Sequence, residues 1–267
     1  MIDRLKRPVF LFTKYVNVKS FLLLYSCELG GINMLEIKNV SKSYDKKKLA
    51  IKDISMSLEP GDLYGFVGPN GAGKTTLIKS IAGIIGYDSG TITLDGYVIN
   101  KNPIDFKKLL AYIPDHPDLY ESLSGRQFID FVADAFAVSL ERRNELITKY
   151  ATEFEMLEAL DKPISTYSHG MKQKAALIAA LVHEPKLILL DEPFVGLDPK
   201  AAFALKQTFK EITNNGAIIL FSSHVLEVVE KLCNKIAIIK QGEIIADGKT
   251  SEVLKDRSLE NFFMEIA

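Results

Sequence analysis

Cysteine is scarce in this chain: Cys27 and Cys233 are the only two among 267 residues. Their spacing fits no metal-ligand pattern, so a cysteine-built metal centre is excluded and a reducing, cytosolic compartment is expected. Charge imbalance is missing as well. A formal net charge of −1 gives no electrostatic footprint for nucleic acid or for an anionic membrane surface. No run is long and apolar enough to span a bilayer. The nearest, from Val9 to Leu29, is interrupted by Lys14, Lys19 and Glu28. Internal repeats, low-complexity tracts and long linkers are absent too.

Residues 1–33 resemble a poor signal peptide, with a basic start followed by apolar residues, but the internal lysines argue against that reading. Gly30-Gly31-Ile32-Asn33 stands just before Met34, and Gly-Gly can be encoded by GGAGGN, a purine-rich ribosome-binding sequence. The expectation is that residues 1–33 are leader read in frame and that Met34 is the natural start.

What is present is the composition of a soluble globular protein, 47% apolar and 25% charged, in a length suited to one large α/β domain or two small ones. From Met34 to Glu59, near-alternating apolar residues (Leu35, Ile37, Val40, then Ile51, Ile54, Met56, Leu58) predict extended chain. Pro60-Gly61-Asp62 is a turn, and Leu63–Val67 a buried strand. Gly90–Gly96 predicts a strand ending in a hairpin turn, and Leu109–Ile113 a strand stopped by Pro114. Helical spacing then takes over. Phe128, Phe131, Val132, Ala135 and Phe136 recur at it, as do Leu146, Tyr150, Phe154 and Leu157, predicting a helical insertion. Continuous apolar runs at Leu187–Leu190, Ala217–Phe221 and Lys235–Ile239 read as strands covered on both faces, with a helix over Lys200–Thr213 between the first two. The expectation is a parallel sheet wrapped by helices.

The densest chemistry lies in Gly68-Pro69-Asn70-Gly71-Ala72-Gly73-Lys74-Thr75-Thr76, which satisfies G-x-x-x-x-G-K-[ST] between a strand and a helix. Glycines let backbone N–H groups converge on an anion, and the helix N-terminus adds partial positive charge. Lys74 is placed to reach β- and γ-phosphates and Thr75 to ligate Mg²⁺. The Leu187–Leu190 run delivers Asp191 and Glu192 at its end, where α/β sheets bind ligands. Asp191 is expected to anchor the metal with Thr75, and Glu192 to polarise the attacking water as general base.

Tyr167-Ser168-His169-Gly170-Met171 opens a helix and, in this order and spacing, resembles the L-S-G-G-Q signature of ABC (ATP-binding cassette) transporter nucleotide-binding subunits. Alone, the pentapeptide is weak evidence and reads first as an ordinary N-capped helix. The resemblance runs from about Met34 to the C-terminus, residues 34–267; Tyr167 and His169 depart from the commonest form. It implies a P-loop NTPase (RecA-like) core, an N-terminal antiparallel β subdomain and an inserted helical subdomain over about residues 116–182. It implies ATP and Mg²⁺ as ligands, with Ser168, His169, Gly170 and Met171 completing the site of a second cassette in a homodimer. By the same resemblance Tyr44 stacks on adenine, Asp198 couples the two sites, and His224 contacts the γ-phosphate and steadies the water. The usual Gln after a Tyr-x-Pro strand end is here Asp115, in Tyr112-Ile113-Pro114-Asp115. A carboxylate there is expected to ligate Mg²⁺ or hold metal-bound water, or else to weaken binding of anionic ATP.

With no span of its own, the chain is expected to power a separate integral-membrane permease, cytoplasmic and peripheral on the inner face of the membrane, with no nucleic-acid partner. Leu119–Ser124 and the ending Leu259–Ala267 resemble bacterial exporter-type (ABC-2-like) cassettes. Two rival readings fit less well. A soluble ABC-type ATPase acting on ribosomes or DNA usually carries two cassettes or a coiled-coil insertion, neither of which is present. A P-loop GTPase usually carries N-K-x-D; the nearest string, Asn234-Lys235-Ile236-Ala237, lacks the aspartate.

Overall fold

The computed structural model describes residues 35–45, 48–255 and 257–266. The expected leader, residues 1–33, and the expected start at Met34 lie outside the described residues.

Strand β1 (Leu35–Ser43) pairs antiparallel with β2 (Leu49–Leu58), because the alternation of Leu35, Ile37, Ile54, Met56 and Leu58 gives both strands one apolar face. β3 (Leu63–Val67) follows, then α1 (Lys74–Ile81). β4 (Ser89–Leu94) adds to the free edge of β1, and β5 (Tyr97–Val98) closes a hairpin on β4. Asp95 and Gly96, both at positive φ, make the two-residue turn predicted there. α2 (Pro103–Lys108) then leads to β6 (Leu110–Ile113). Strands β1, β2, β4 and β5 form an antiparallel sheet in the order β2-β1-β4-β5.

The helical insertion consists of α3 (Gly125–Ala135), α4 (Leu140–Glu153), two short 3₁₀ turns and α5 (His169–Leu181). The chain returns through β7 (Leu187–Asp191), α6 (Pro199–Asn214), β8 (Ile218–Ser222), α7 (Leu226–Leu232) and β9 (Lys235–Lys240). β10 (Glu243–Lys249), α8 (Thr250–Leu254) and α9 (Leu259–Ile266) end it. The second sheet has the order β10-β9-β3-β8-β7-β6. It is parallel as predicted, except that β10 turns back antiparallel along β9 as an edge strand.

The two-residue period of the strands divides the core in two. Leu187 and Leu189 of β7, Ile218 and Leu220 of β8 and Phe66 of β3 face α1 and the antiparallel sheet. Ile188 and Leu190, with Ile219 and Phe221, point the other way and pack against the helical insertion and α6. Burying both faces of each strand in this way holds the C-terminal ends of β3, β7 and β8 rigidly side by side.

The helical spacing in α3 is real, but the buried face differs from the aromatic stripe. Ile129 and Ala133 are fully buried, whereas Phe131 is 55% exposed. Small residues let α3 pack closely against α5, and Phe128 and Phe136 line the groove beside it. α2, the helices after β8 and the edge strand β10 go beyond the elements the sequence predicts. β10 alternates half-buried and exposed residues, a weak signal beside its continuous apolar neighbour β9.

Candidate functional site

The phosphate loop joins β3, buried throughout, to α1. Gly73 stands at φ +115°, and a Cβ there would lie 2.5 Å from the Ala50 carbonyl oxygen, so only glycine fits. The first-turn N–H groups of α1 have no helical partner and concentrate positive potential over the loop. Lys74 is buried, and its Nζ donates to the carbonyls of Gly68 (2.6 Å) and Pro69 (3.2 Å). Burial holds its pKa below the usual lysine value, against the opposing pull of Glu192 and Asp191.

The register of β7 against β8 sets Asp191 opposite Ser222. Thr75 Oγ1 donates to Asp191 Oδ2 at 2.7 Å, and the Ser222 hydroxyl donates to Asp191 Oδ1. Two hydroxyls thus satisfy a carboxylate that is 5% exposed. Sequence reasoning misses Ser222; it stands in the string Ser222-Ser223-His224, but only the strand register brings it to Asp191.

Glu192 departs from strand geometry at φ +51°, a left-handed conformation uncommon outside glycine. The bend turns its carboxylate out of the sheet to His224, whose Nδ1 lies 2.9 Å from Glu192 Oε2. The backbone N–H of Glu192 donates to the Ser222 carbonyl at 3.2 Å, which secures the bend. Lys74, Thr75, Asp191, Glu192 and His224 therefore converge at the C-terminal ends of β3, β7 and β8, where parallel sheets bind ligands.

Tyr44 is exposed, and its hydroxyl lies 3.4 Å from Thr76 Oγ1. It lines a groove of about 520 Å³ beside the phosphate loop with Asn70, Gly71, Ala72, Lys240 and Gln241.

Asp115 is placed differently. Its Oδ1 accepts from the His116 N–H at 2.9 Å, and its Oδ2 faces His116 Nδ1 at 3.0 Å. No hydrogen bond among the described residues joins it to Thr75 or Asp191. It remains near enough to act through space: burial, and then the charges of Asp191 and Asp115, raise the Tyr112 phenol to about 12.

Ser168 caps α5, its Oγ accepting from the Met171 N–H at 3.3 Å. The His169 ring lies against Gly196 and 5.0 Å from the His116 ring, and Gly170 lies against the Gly196 carbonyl. Met171 packs on the apolar core. Asp198 caps α6 by accepting from the Ala201 N–H at 2.8 Å and pairs with Lys174 at 3.0 Å; both hold its pKa below the usual carboxylate value. The signature segment is thus tied to the Gly196–Asp198 turn, while no hydrogen bond among the described residues joins Ser168–Met171 to the phosphate loop.

The Thr75 hydroxyl and Asp191 carboxylate are hard oxygen donors that fit Mg²⁺. Among the described residues no group of three or more His, Cys, Asp or Glu side chains could hold a metal by itself.

Comparison with known proteins gives the family. The family model described as "ABC transporter" matches residues 51–195. The linearmycin resistance ATP-binding protein LnrL of Bacillus subtilis (strain 168) is 36% identical over 220 residues, covering 82% of this chain and 70% of the relative. A solved structure of an ATP-binding subunit of an ABC transporter superposes with a TM-score of 0.84 at 32% identity, covering 87% of this chain and 99% of that one. The fold is also shared with the ATP-binding cassette MJ0796, solved as a dimer bound to ADP and Pi, with a TM-score of 0.74 at 23% identity over 81% of this chain and 99% of that one. The chain belongs to the ABC transporter family, as an ATP-binding subunit that hydrolyses ATP.

Proposed function

We propose that this subunit dimerises around ATP and drives a separate membrane permease. The observation that carries the reading is the convergence of Lys74, Thr75, Asp191, Glu192 and His224 at one sheet end, with the signature segment held elsewhere on the same chain. Each copy then holds two half-sites. The phosphate loop binds ATP, Tyr44 stacks on adenine, and Ser168, His169, Gly170 and Met171 cover the nucleotide of the other copy. Mg²⁺ held by Thr75 and Asp191 neutralises phosphate charge when bound. Glu192 takes the proton of the attacking water, and His224 keeps that carboxylate aimed. Asp198 couples the two half-sites through Lys174 and α5. Asp115 acts on bound water or on local charge. ATP closes the dimer and hydrolysis reopens it.

The permease reading is supported by a groove of about 320 Å³ lined by Tyr112, Leu119, Phe128, Val132 and His183. Exposed Tyr120 lies 6.4 Å from the ring of Phe128 in that lining and edge-to-face with exposed Phe131 at 5.9 Å. An apolar groove with exposed aromatic rings beside it suits an amphipathic helix from the cytoplasmic side of a permease. No helix among the described residues is long and apolar enough to cross a membrane. Attachment to the inner membrane face then comes through that partner. Export is the proposed direction, supported by likeness to LnrL, whose name marks it as a resistance protein.

Sedimentation of Glu192→Gln with and without Mg²⁺-ATP tests the dimer. The expected outcome is conversion from monomer to dimer on saturation with ATP. A variant that binds ATP and stays monomeric at all ATP concentrations would overturn the reading.

A further inference from the structure

The turn between β9 and β10 touches the phosphate loop directly. The Gly242 N–H donates to the Ala72 carbonyl at 2.9 Å, and the Gly242 carbonyl accepts from the Lys52 N–H at 2.8 Å. The turn therefore bridges the phosphate loop to β2. The junction leaves little room for a side chain. Gly242 is at φ +86°, and a Cβ there would lie 3.0 Å from the Ala50 carbonyl oxygen. On the loop side, a Cβ on Gly68 would lie 2.4 Å from the Ile239 carbonyl oxygen. Lys52 and Glu243 pair at 2.6 Å across the outside of the junction. Lys240 and Gln241 continue from it into the groove beside Tyr44.

We infer that Gly242 is a positioning residue for ATP: the β9–β10 turn fixes the curvature of the phosphate loop through the Ala72 carbonyl. A phosphate loop binds by aiming several N–H groups at one anion, so rotating one peptide misdirects its neighbours. Ala72 lies at the crown of the loop and is 3% exposed, leaving its carbonyl to be satisfied by the turn rather than by solvent. The seat is absent from the G-x-x-x-x-G-K-[ST] pattern, because Gly242 is remote in sequence.

Titration of wild type and Gly242→Ala with a fluorescent ATP analogue, and competition with inorganic tripolyphosphate, tests this. The expected result is weakening of both ligands by about tenfold or more, since both depend on the loop. Unchanged tripolyphosphate binding with weaker nucleotide binding would overturn the proposal, because the turn would then act only on the base. Gly248→Ala is the control: it also places a side chain at positive φ (+142°) in β10, but at the far end of the strand. An equal loss in that variant would mean general strain and would likewise overturn the proposal. If Gly242→Ala does not fold, one glycine inserted between Gln241 and Gly242 slackens the turn without adding a side chain. It is expected to weaken tripolyphosphate to a similar degree, and wild-type affinity in the insertion variant would refute the role.

Discussion

Glu192 is where single-residue geometry decides chemistry. Its left-handed backbone separates its carboxylate from that of Asp191, although the two are consecutive. Asp191 is buried and engaged by two hydroxyls, while Glu192 keeps an oxygen on His224 at the open end of the sheet. That division of geometry, one carboxylate buried and the other open, is what the proposed metal-anchoring and water-polarising roles require. Glu192→Gln is expected to retain ATP binding and to lower the hydrolysis rate by about 10²–10⁴-fold, the usual contribution of a general base. Steady-state phosphate release checks the rate, and equilibrium binding checks the affinity. At Asp115 the geometry is less direct, since its carboxylate is turned to His116. Asp115→Gln with Mg²⁺ titration of ATPase activity separates the expectations. A shifted Mg²⁺ midpoint is expected of a metal-linked carboxylate, and an unchanged midpoint excludes that link.

At the scale of elements, α3 begins with a reciprocal cap. Ser124 Oγ accepts from the Gln127 N–H at 3.2 Å, and Gln127 Oε1 accepts from the Ser124 N–H at 2.9 Å. Ser124→Ala is expected to cost about 1 kcal/mol. For a domain of this size that lowers Tm by roughly 2–4 °C, measurable by calorimetry. Just beyond α5, His183 stacks on Phe136 with ring centroids 3.7 Å apart. Its Nε2 lies 3.3 Å from the Leu110 carbonyl, and burial lowers its pKa from 6.5 to about 4. The folded form keeps this imidazole neutral, whereas the unfolded chain binds a proton below its ordinary pKa. The resulting stability is present above pH 6.5 and is lost as pH falls towards about 4. The loss is on the order of 3 kcal/mol. Denaturant unfolding of wild type and His183→Gln across that window checks the sign: the variant is expected to show a flatter pH dependence.

For the whole molecule, the sheet end and the signature segment are each anchored in a different part of the core. The two apolar clusters meet across the parallel sheet, one under the antiparallel strands and one under the helical insertion. The first supports the phosphate loop and the second supports α5. Lys149 pairs with Glu211, tying α4 to α6 across that second cluster. The ATP-dependent dimerisation proposed above belongs to this scale, because it requires two copies to present both parts at once.

The phosphate loop, the Asp191–Glu192 pair and the parallel strands are legible in the sequence because each is a local pattern. Glycine spacing, a continuous apolar run and a strand-end acid all act through neighbours in the chain. The edge strand β10, the exposed side of α3 and the role of Ser222 are not legible in the same way. Each depends on what lies opposite: β9 for the strand, α5 for the helix, Asp191 for the serine. Sequence alone determined that a nucleotide-binding α/β protein would form, since backbone geometry and hydrophobic period are local properties. Tertiary structure decided which way Glu192 and Asp115 point and that Gly242 touches the phosphate loop, because contacts between residues far apart in the chain exist only once the sheets have packed.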